Sequence, residues 1–170
     1  PTFLDHTWQA TVLCLSFLAL LFVSEKLGWF KSITTVDRKS NGSWMFALVV
    51  LIAFWVQSRY NDTSLFYIPI LILALADTAA EAFGKRMNYR PYLVFGQKKT
   101  VGGSLAFMIV TVIILMSFHY DVLSTASVIY VLLMAVVLAI VEGISVRGSD
   151  NLTVPLAAIA LLHFGHHLIA

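Results

Sequence analysis

Long apolar stretches separated by short polar connections constrain this chain more than any other feature of its sequence. Within each stretch the apolar side chains are not confined to one stripe, so each would form a helix that is hydrophobic on every side. Hydrophobic residues make up 59% of the chain, charged residues make up 12%, and the mean hydropathy is +0.87. These values exclude a soluble domain and a nucleic-acid-binding protein, and they predict an integral membrane protein.

The apolar stretches predict an all-α, polytopic helix bundle with about six transmembrane helices, forming a single transmembrane domain over residues 1–170. The predicted spans are approximately Thr7 to Val23, Trp44 to Gln57, Leu65 to Phe83, Val101 to Phe118, Thr125 to Val141 and Leu152 to Ile169. The second is short, so we expect it to extend into residues 41–43 or to cross where the bilayer is thin. Pro69 and Pro155 are expected in the first turn of their spans.

Basic residues identify the cytoplasmic face. Ten of the eleven lysines and arginines lie in the first, third and fifth connections between the predicted spans, and only Arg59 lies elsewhere. By the positive-inside rule, these three connections are cytoplasmic and both ends of the sequence are on the other side. The chain begins with Pro1 and not with methionine, so we expect sequence upstream of it, with or without a further helix.

Acidic residues lie at the same face, at the ends of apolar helices. Asp77 and Glu81 are four residues apart, which places them on one side of a helix. An ionised carboxylate within a membrane span costs about 2.5–3.5 kcal/mol, so such residues are rare unless they are paired, hydrated or bound to a cation. Ordinary ion pairs with Lys85 and Arg86 would explain Glu81 better than Asp77, which lies deeper and needs a partner from another helix.

The fifth connection supplies two further carboxylates, Glu142 and Asp150, in the segment VEGISVRGSDN. Magnesium binds one or two carboxylates together with phosphate oxygens and water, so these acids are candidate ligands of a metal–nucleotide complex. Asp150 or Asn151 would also be a good cap for the last helix. The two roles are compatible.

The third connection ends in QKKTVGGS and then becomes a helix. Lysine ammonium groups, glycine backbone amides and hydroxyls at a helix start all favour phosphate. The candidate phosphate-binding residues here are Lys98, Lys99, Thr100, Gly102, Gly103 and Ser104, together with Lys85. The lysines precede the glycines, so this is not a Walker A loop, and a basic cluster that contacts anionic lipid is an equally good interpretation.

Four segments carry a family resemblance: VDRKSNGSWMF, DTAAEAFGKRM, QKKTVGGSLAF and VEGISVRGSDNLTVP. Their order and spacing, from about Val36 to Leu156, resemble the polyprenol kinase family. That family includes dolichol, phytol and farnesol kinases and the cytidine-triphosphate-dependent diacylglycerol kinases of yeast type.

The resemblance implies a membrane enzyme that uses magnesium and transfers the γ-phosphate of cytidine triphosphate (CTP) to the hydroxyl of a lipid alcohol. By position, Asp77 and Asp150 would serve in catalysis or metal binding. The implied metal ligands are Asp77, Glu81, Glu142 and Asp150, and the implied nucleotide contacts include Lys98, Lys99, Asn151 and, from the first connection, Arg38 and Lys39. Phosphoryl transfer depends mainly on positioning and charge neutralisation, which these residue types provide.

The sequence departs from the family at Gly102, where relatives commonly have glutamate, so the pattern KKT-x-EG becomes KKTVGG. The related phosphatidate cytidylyltransferases offer a rival function, in which a lipid phosphate attacks the α-phosphate and pyrophosphate leaves. A small transporter or channel is a third hypothesis, but such a protein would have polar side chains along the depth of several spans. The fourth and fifth spans contain few such residues.

Cysteine and histidine give weaker signals. The single cysteine, Cys14, lies in the first span and is interpreted as a small packing residue. His163, His166 and His167 have helical spacing near the end of the sequence, where three imidazoles could bind zinc. A polar helix end at the membrane interface explains them better, and we assign no metal there.

Overall fold

A computed structural model describes residues 7–27, 42–118, 125–145 and 148–169. These residues form six helices and one β-hairpin. The helices are α1 (Thr7–Leu27), α2 (Gly42–Tyr60), α3 (Ser64–Met87), α4 (Val101–Phe118), α5 (Thr125–Ile144) and α6 (Asp150–Ile169), and the strands are β1 (Pro91–Val94) and β2 (Gln97–Thr100). The predicted all-α membrane bundle is confirmed.

Three of the helices are long and apolar enough to cross a membrane: Ser64–Met87, Val101–Phe118 and Ala126–Ile144. Among the described residues, the apolar parts of the other three are shorter, at Thr11–Leu20, Trp44–Tyr60 and Asp150–Gly165. Helix α2 begins at Gly42, which confirms the extension expected for the short second span.

Helix α5 shows how the bundle separates its core from its lipid-facing surface. One stripe of this helix is buried, at Ser127, Val131, Met134, Ala135, Leu138 and Glu142. The other side exposes large apolar residues, namely Ile129, Leu132, Leu133, Val136, Val137, Ile140 and Ile144. An apolar outer surface suits lipid tails. The buried stripe ends in a carboxylate, so the helix periodicity itself turns Glu142 inward.

The core is built from α3, α4, α5 and α6, whose buried residues form one cluster around Ile72, Phe107, Leu138 and Ala158. Helix α4 packs between α3 and α5, whereas α6 packs against α2, α3 and α5. Helix α1 contacts α2, where the Trp55 indole donates a hydrogen bond to the Thr11 hydroxyl over 3.2 Å. Cys14 is buried, as expected for a packing residue.

Helix α3 is not a uniform α-helix. It consists of an α-helical part, Ser64–Leu71, a π-helical segment, Ile72–Asp77, and a second α-helical part, Thr78–Met87. Asp77 is the last residue of the π-helical segment. Pro69 and Pro155 are each the sixth residue of their helix, because α3 begins at Ser64 and α6 at Asp150, so both lie just beyond the first turn.

The connection between α3 and α4 contains a β-hairpin that the sequence did not predict. Strands β1 and β2 are antiparallel, with Tyr92 opposite Lys99 and Leu93 opposite Lys98. Phe95 and Gly96 form the two-residue turn with φ angles of 46° and 80°. Positive φ at both central positions is the geometry of a type I′ turn, whose twist matches that of a hairpin.

Helices α3 and α4 approach each other closely where the hairpin ends. A Cβ atom added to Gly103 would lie 2.8 Å from the Ala80 carbonyl oxygen, and one added to Gly84 would lie 2.9 Å from the Thr100 hydroxyl oxygen. The buried Thr100 hydroxyl accepts a hydrogen bond from the Gly103 amide over 3.0 Å. The two glycines therefore permit the contact, and Thr100 caps α4 within it.

Replacement of Gly103 by alanine should destabilise the bundle by about 1–3 kcal/mol, because the new methyl group meets a backbone carbonyl that cannot move aside. Unfolding of the detergent-solubilised protein by sodium dodecyl sulfate measures this change. Gly102→Ala is the matched control, since its methyl group meets only ordinary contacts, 3.5 Å from the Tyr89 Cβ atom. Equal stability of the two variants would contradict the proposed close contact.

Candidate active site

A buried ion pair joins the hairpin to the end of α5. The Lys99 ammonium group contacts the Glu142 Oε1 atom and also donates a hydrogen bond to the Glu142 carbonyl oxygen over 3.1 Å. The Lys99 side chain is 18% exposed and the Glu142 side chain 4% exposed. Water screens such a pair little, so each charge depends on the other for compensation.

The second carboxylate oxygen of Glu142, Oε2, is buried and accepts no hydrogen bond from the described residues. Native proteins rarely leave a buried carboxylate oxygen without a donor or a cation. The Lys99 ammonium group therefore satisfies only one half of this carboxylate.

Asp77 and Asp150 lie near this pair. Asp77 is half-buried and lies within electrostatic range of Asp150, Glu142 and Lys99. The site thus combines α3, β2, α5 and α6 at one end of the bundle. The sequence predicted that Asp77 needs a partner from another helix, and the structure brings it close to charged residues of three other elements.

A second contact fixes the hairpin against the helices. The Tyr92 hydroxyl lies 3.0 Å from the Ser104 hydroxyl, within hydrogen-bond distance. A Cβ atom on Gly143 would lie 3.0 Å from the Tyr92 hydroxyl, so this glycine lets the tyrosine pack against α5 beside Glu142. Tyr92 and Gly143 were not identified from the sequence. The aromatic and β-branched residues in the run PYLV were the available signal for a strand, but the role of Tyr92 requires the pairing of the strands.

The start of α6 is held by hydroxyl groups. The Ser145 and Thr153 hydroxyls lie 2.7 Å apart, and the Thr153 hydroxyl also donates to the Ser149 carbonyl oxygen over 3.0 Å. Asp150 is the first residue of the helix, and its Oδ1 atom accepts the Asn151 amide hydrogen over 3.0 Å. A capping side chain accepts from an amide two or three residues later, so the bond to Asn151 is not a cap, and the capping role expected of Asp150 stays a prediction.

The glycine-rich start of α4 differs from the anion-binding loop that we expected. The Val101 and Gly102 amides donate to the carbonyl oxygens of Arg90 and Tyr89, and the Gly103 amide donates to Thr100. These donors are already satisfied within the chain. In this conformation the glycines allow close packing and do not present free amides. Their assignment as nucleotide contacts, like that of Asn151 and Ser104, stays a prediction.

The adjacent lysines Lys98 and Lys99 lie on opposite faces of β2. Lys99 faces the buried acids, whereas Lys98 is exposed opposite Leu93. Glu81 forms the ion pair with Lys85 that its spacing predicts, and both side chains are largely exposed. Glu81 also lies within electrostatic range of Asp77, which is four residues earlier in α3. Arg38 and Lys39 lie outside the described residues.

Within the described residues, no group of three or more histidine, cysteine, aspartate or glutamate side chains is close enough to hold a metal ion together. The predicted metal ligands Asp77, Glu81, Glu142 and Asp150 stay predictions. At the opposite end of the bundle, the His163 ring contacts the Tyr60 ring, with centroids 4.2 Å apart and an angle of 45° between the ring planes. The side chains of His166 and His167 lie outside the described part of the chain.

Comparison with known proteins identifies a similar enzyme. The chain is 27% identical to a phytol kinase of Synechocystis sp. over 170 residues, an alignment that takes in 95% of this chain and 70% of that protein. No protein-family model matches the chain. No solved structure matches it either. The similarity agrees with the family resemblance seen in the four segments, at the level of a lipid-alcohol kinase.

Replacement of Lys99 by methionine should destabilise the protein by about 3–5 kcal/mol, because it leaves the Glu142 carboxylate buried without its cation. The double variant Lys99→Met/Glu142→Leu should recover most of this loss. Unfolding in sodium dodecyl sulfate again provides the measurement.

Lys85→Met is the matched control for that variant, because it breaks an exposed pair of the same residue types on α3. Its effect should stay below about 1 kcal/mol. If Lys99→Met and Lys85→Met lower the free energy of unfolding equally, the ion pair of Lys99 with Glu142 is not buried as described.

Proposed function

We propose that this protein is a lipid-alcohol kinase that transfers the γ-phosphate of CTP to the hydroxyl of an isoprenoid alcohol such as phytol. One observation carries the proposal: a buried glutamate with one unsatisfied oxygen lies beside a lysine and two aspartates, at the end of a helix bundle whose sequence is 27% identical to that of a phytol kinase. The site is proposed to face the cytoplasm, where the positive-inside rule places it and where nucleotide is available.

Asp77 is the acid proposed to act on the lipid acceptor. It ends the π-helical segment of α3, and the buried residues Ile72 and Ala76 precede it in the same apolar helix. A long-chain alcohol dissolves in the bilayer, so only its hydroxyl group must reach the level of Asp77. The hydroxyl oxygen attacks the γ-phosphorus, its proton passes to the Asp77 carboxylate, and the bond to the β-phosphate oxygen breaks to release cytidine diphosphate.

Lys99 is the cation proposed to bind the transferred phosphoryl group. Its ammonium group is held at the site by Glu142 and by the Glu142 carbonyl oxygen. A lysine held at a fixed position can neutralise the charge that develops on phosphate oxygens during transfer. Glu142 therefore acts partly by positioning Lys99. Loss of the Glu142 carboxylate should weaken the binding of the nucleotide and lower the free energy of unfolding.

The residues present fit a magnesium ion. This ion takes oxygen ligands and commonly binds one or two carboxylates together with phosphate oxygens and water, so it does not require three protein ligands. The unsatisfied Glu142 Oε2 atom and the nearby Asp150 carboxylate would hold it. Bound magnesium would neutralise the charge of the β- and γ-phosphates.

The reaction itself is tested by incubating the purified protein with γ-labelled or α-labelled CTP, or with γ-labelled adenosine triphosphate, in the presence of phytol, farnesol, a dolichol or diacylglycerol. The proposal predicts that γ-label from CTP enters phytol or another isoprenoid alcohol. Release of pyrophosphate with a lipid phosphate acceptor would instead indicate a cytidylyltransferase. Absence of transfer to every alcohol would refute the kinase.

Asp77→Asn should abolish transfer, with a loss of at least about 100-fold, since it removes the proton acceptor while keeping the shape of the side chain. The measurement is initial rate with γ-labelled CTP and the preferred alcohol. Asp62→Asn is the matched control at the other end of the bundle. There Asp62 accepts hydrogen bonds from the Ser64 amide and hydroxyl, and asparagine can replace it in that role. Near-normal turnover of Asp77→Asn would remove this residue from the mechanism.

A further inference from the structure

The outer face of the hairpin is a surface that the proposed reaction does not use. Leu93 and Phe95 are 76% and 83% exposed, the highest values among the exposed large apolar side chains in the described part of the chain. The exposed side chains Tyr89 and Arg90 precede the hairpin, and Lys98 lies opposite Leu93 on the same outer face. We name this set, Tyr89, Arg90, Leu93, Phe95 and Lys98, the hairpin surface.

The position of this surface restricts what can cover it. The hairpin follows directly on α3, which ends at Met87, and leads directly into α4, which begins at Val101. Both helices are long and apolar enough to cross a membrane. Four residues of a β-strand extend about 13 Å, so the hairpin surface stays within reach of the lipid headgroups around these helix ends.

The positive charge of the hairpin surface favours anionic lipid headgroups. No aspartate or glutamate occurs in the sequence from residue 82 to residue 118, while Arg86, Arg90 and Lys98 are exposed. Lysine and arginine beside a membrane attract anionic lipids, and aromatic side chains favour the boundary between headgroups and acyl chains. Tyr89 and Phe95 supply such side chains here.

We propose that the hairpin surface binds the anionic headgroups of the surrounding bilayer, with Leu93 and Phe95 inserted at the interface and Arg90 and Lys98 on lipid phosphates. The two faces of one hairpin then have separate tasks. Lys99 and Tyr92 face the candidate active site, and Lys98 and Leu93 face the membrane. This proposal does not depend on which reaction the site catalyses.

A spin label at position 95 tests the proposal in the full chain. Cys14 is the sole cysteine, so Cys14→Ser followed by Phe95→Cys gives one labelling position. The protein is reconstituted into vesicles of phosphatidylcholine, with or without phosphatidylglycerol, and the collision rates of the label with oxygen and with a water-soluble nickel complex are measured. Oxygen concentrates in the bilayer, so a high ratio of oxygen to nickel collisions reports insertion.

The expected result is a ratio several-fold higher in vesicles that contain phosphatidylglycerol, and loss of that increase in the variant Arg90→Gln/Lys98→Gln. A label at the exposed Thr63, in the turn between α2 and α3, is the control and should not respond to the charge substitutions. An equal ratio in both vesicle types would overturn the proposal. A ratio that is unaffected by the charge substitutions would also overturn it. A label that stays in water in both vesicle types would overturn it too, and would instead indicate a surface that binds a soluble protein.

Discussion

The ion pair between Lys99 and Glu142 is the interaction on which the rest of the site depends. The two residues are 43 positions apart in sequence, and they join the connection between α3 and α4 to the end of α5. Each residue would be costly alone, because a buried charge without its counterion destabilises a fold strongly. The pair therefore fixes the hairpin over the end of the bundle, and this holds Lys99 close to Asp77 and Asp150, which the packing of α3 against α6 brings together.

Burial at a helix end explains why this chemistry can exist in a membrane protein. The inward stripe of α5 continues the core as far as Leu138 and then presents Glu142 on the same side. The buried Ala76 likewise precedes Asp77 in α3. Charged groups are thus placed at the end of the apolar core, where the lipid hydroxyl and the nucleotide of the proposed reaction could meet. For that proposed reaction, deeper burial would exclude the nucleotide, and full exposure would separate the acids from the lipid.

The helices were predictable because a long apolar stretch is sufficient to indicate a helix in a membrane protein. The six predicted spans correspond to α1–α6. The ion pair of Glu81 with Lys85 was predictable from its local spacing. The contact of Lys99 with Glu142 was not, since it depends on how two distant segments pack. The hairpin was missed because its strands are four residues long and its turn requires positive φ at Phe95.

Four predictions from the sequence need measurements of location or ligand binding, or further sequence, to test them. The cytoplasmic location, the single domain, the magnesium ligands and the use of CTP stay predictions, since side-chain positions alone do not report them. The two adjacent lysines illustrate what the structure adds. The sequence allowed both a phosphate site and a lipid contact for the pair, and the strand geometry turns Lys99 inward and Lys98 outward.

The central claim is that carboxylates from separate helices complete one metal–nucleotide site at the end of the bundle. Electron paramagnetic resonance of manganese, used in place of magnesium, tests this most directly. Titration of the detergent-solubilised protein with manganese in the presence of CTP should show a bound ion in the wild type, and markedly weaker binding in both Glu142→Gln and Asp150→Asn. The manganese that CTP binds without protein is subtracted. If the remaining manganese binding is equal in the wild type and both variants, the claim is contradicted.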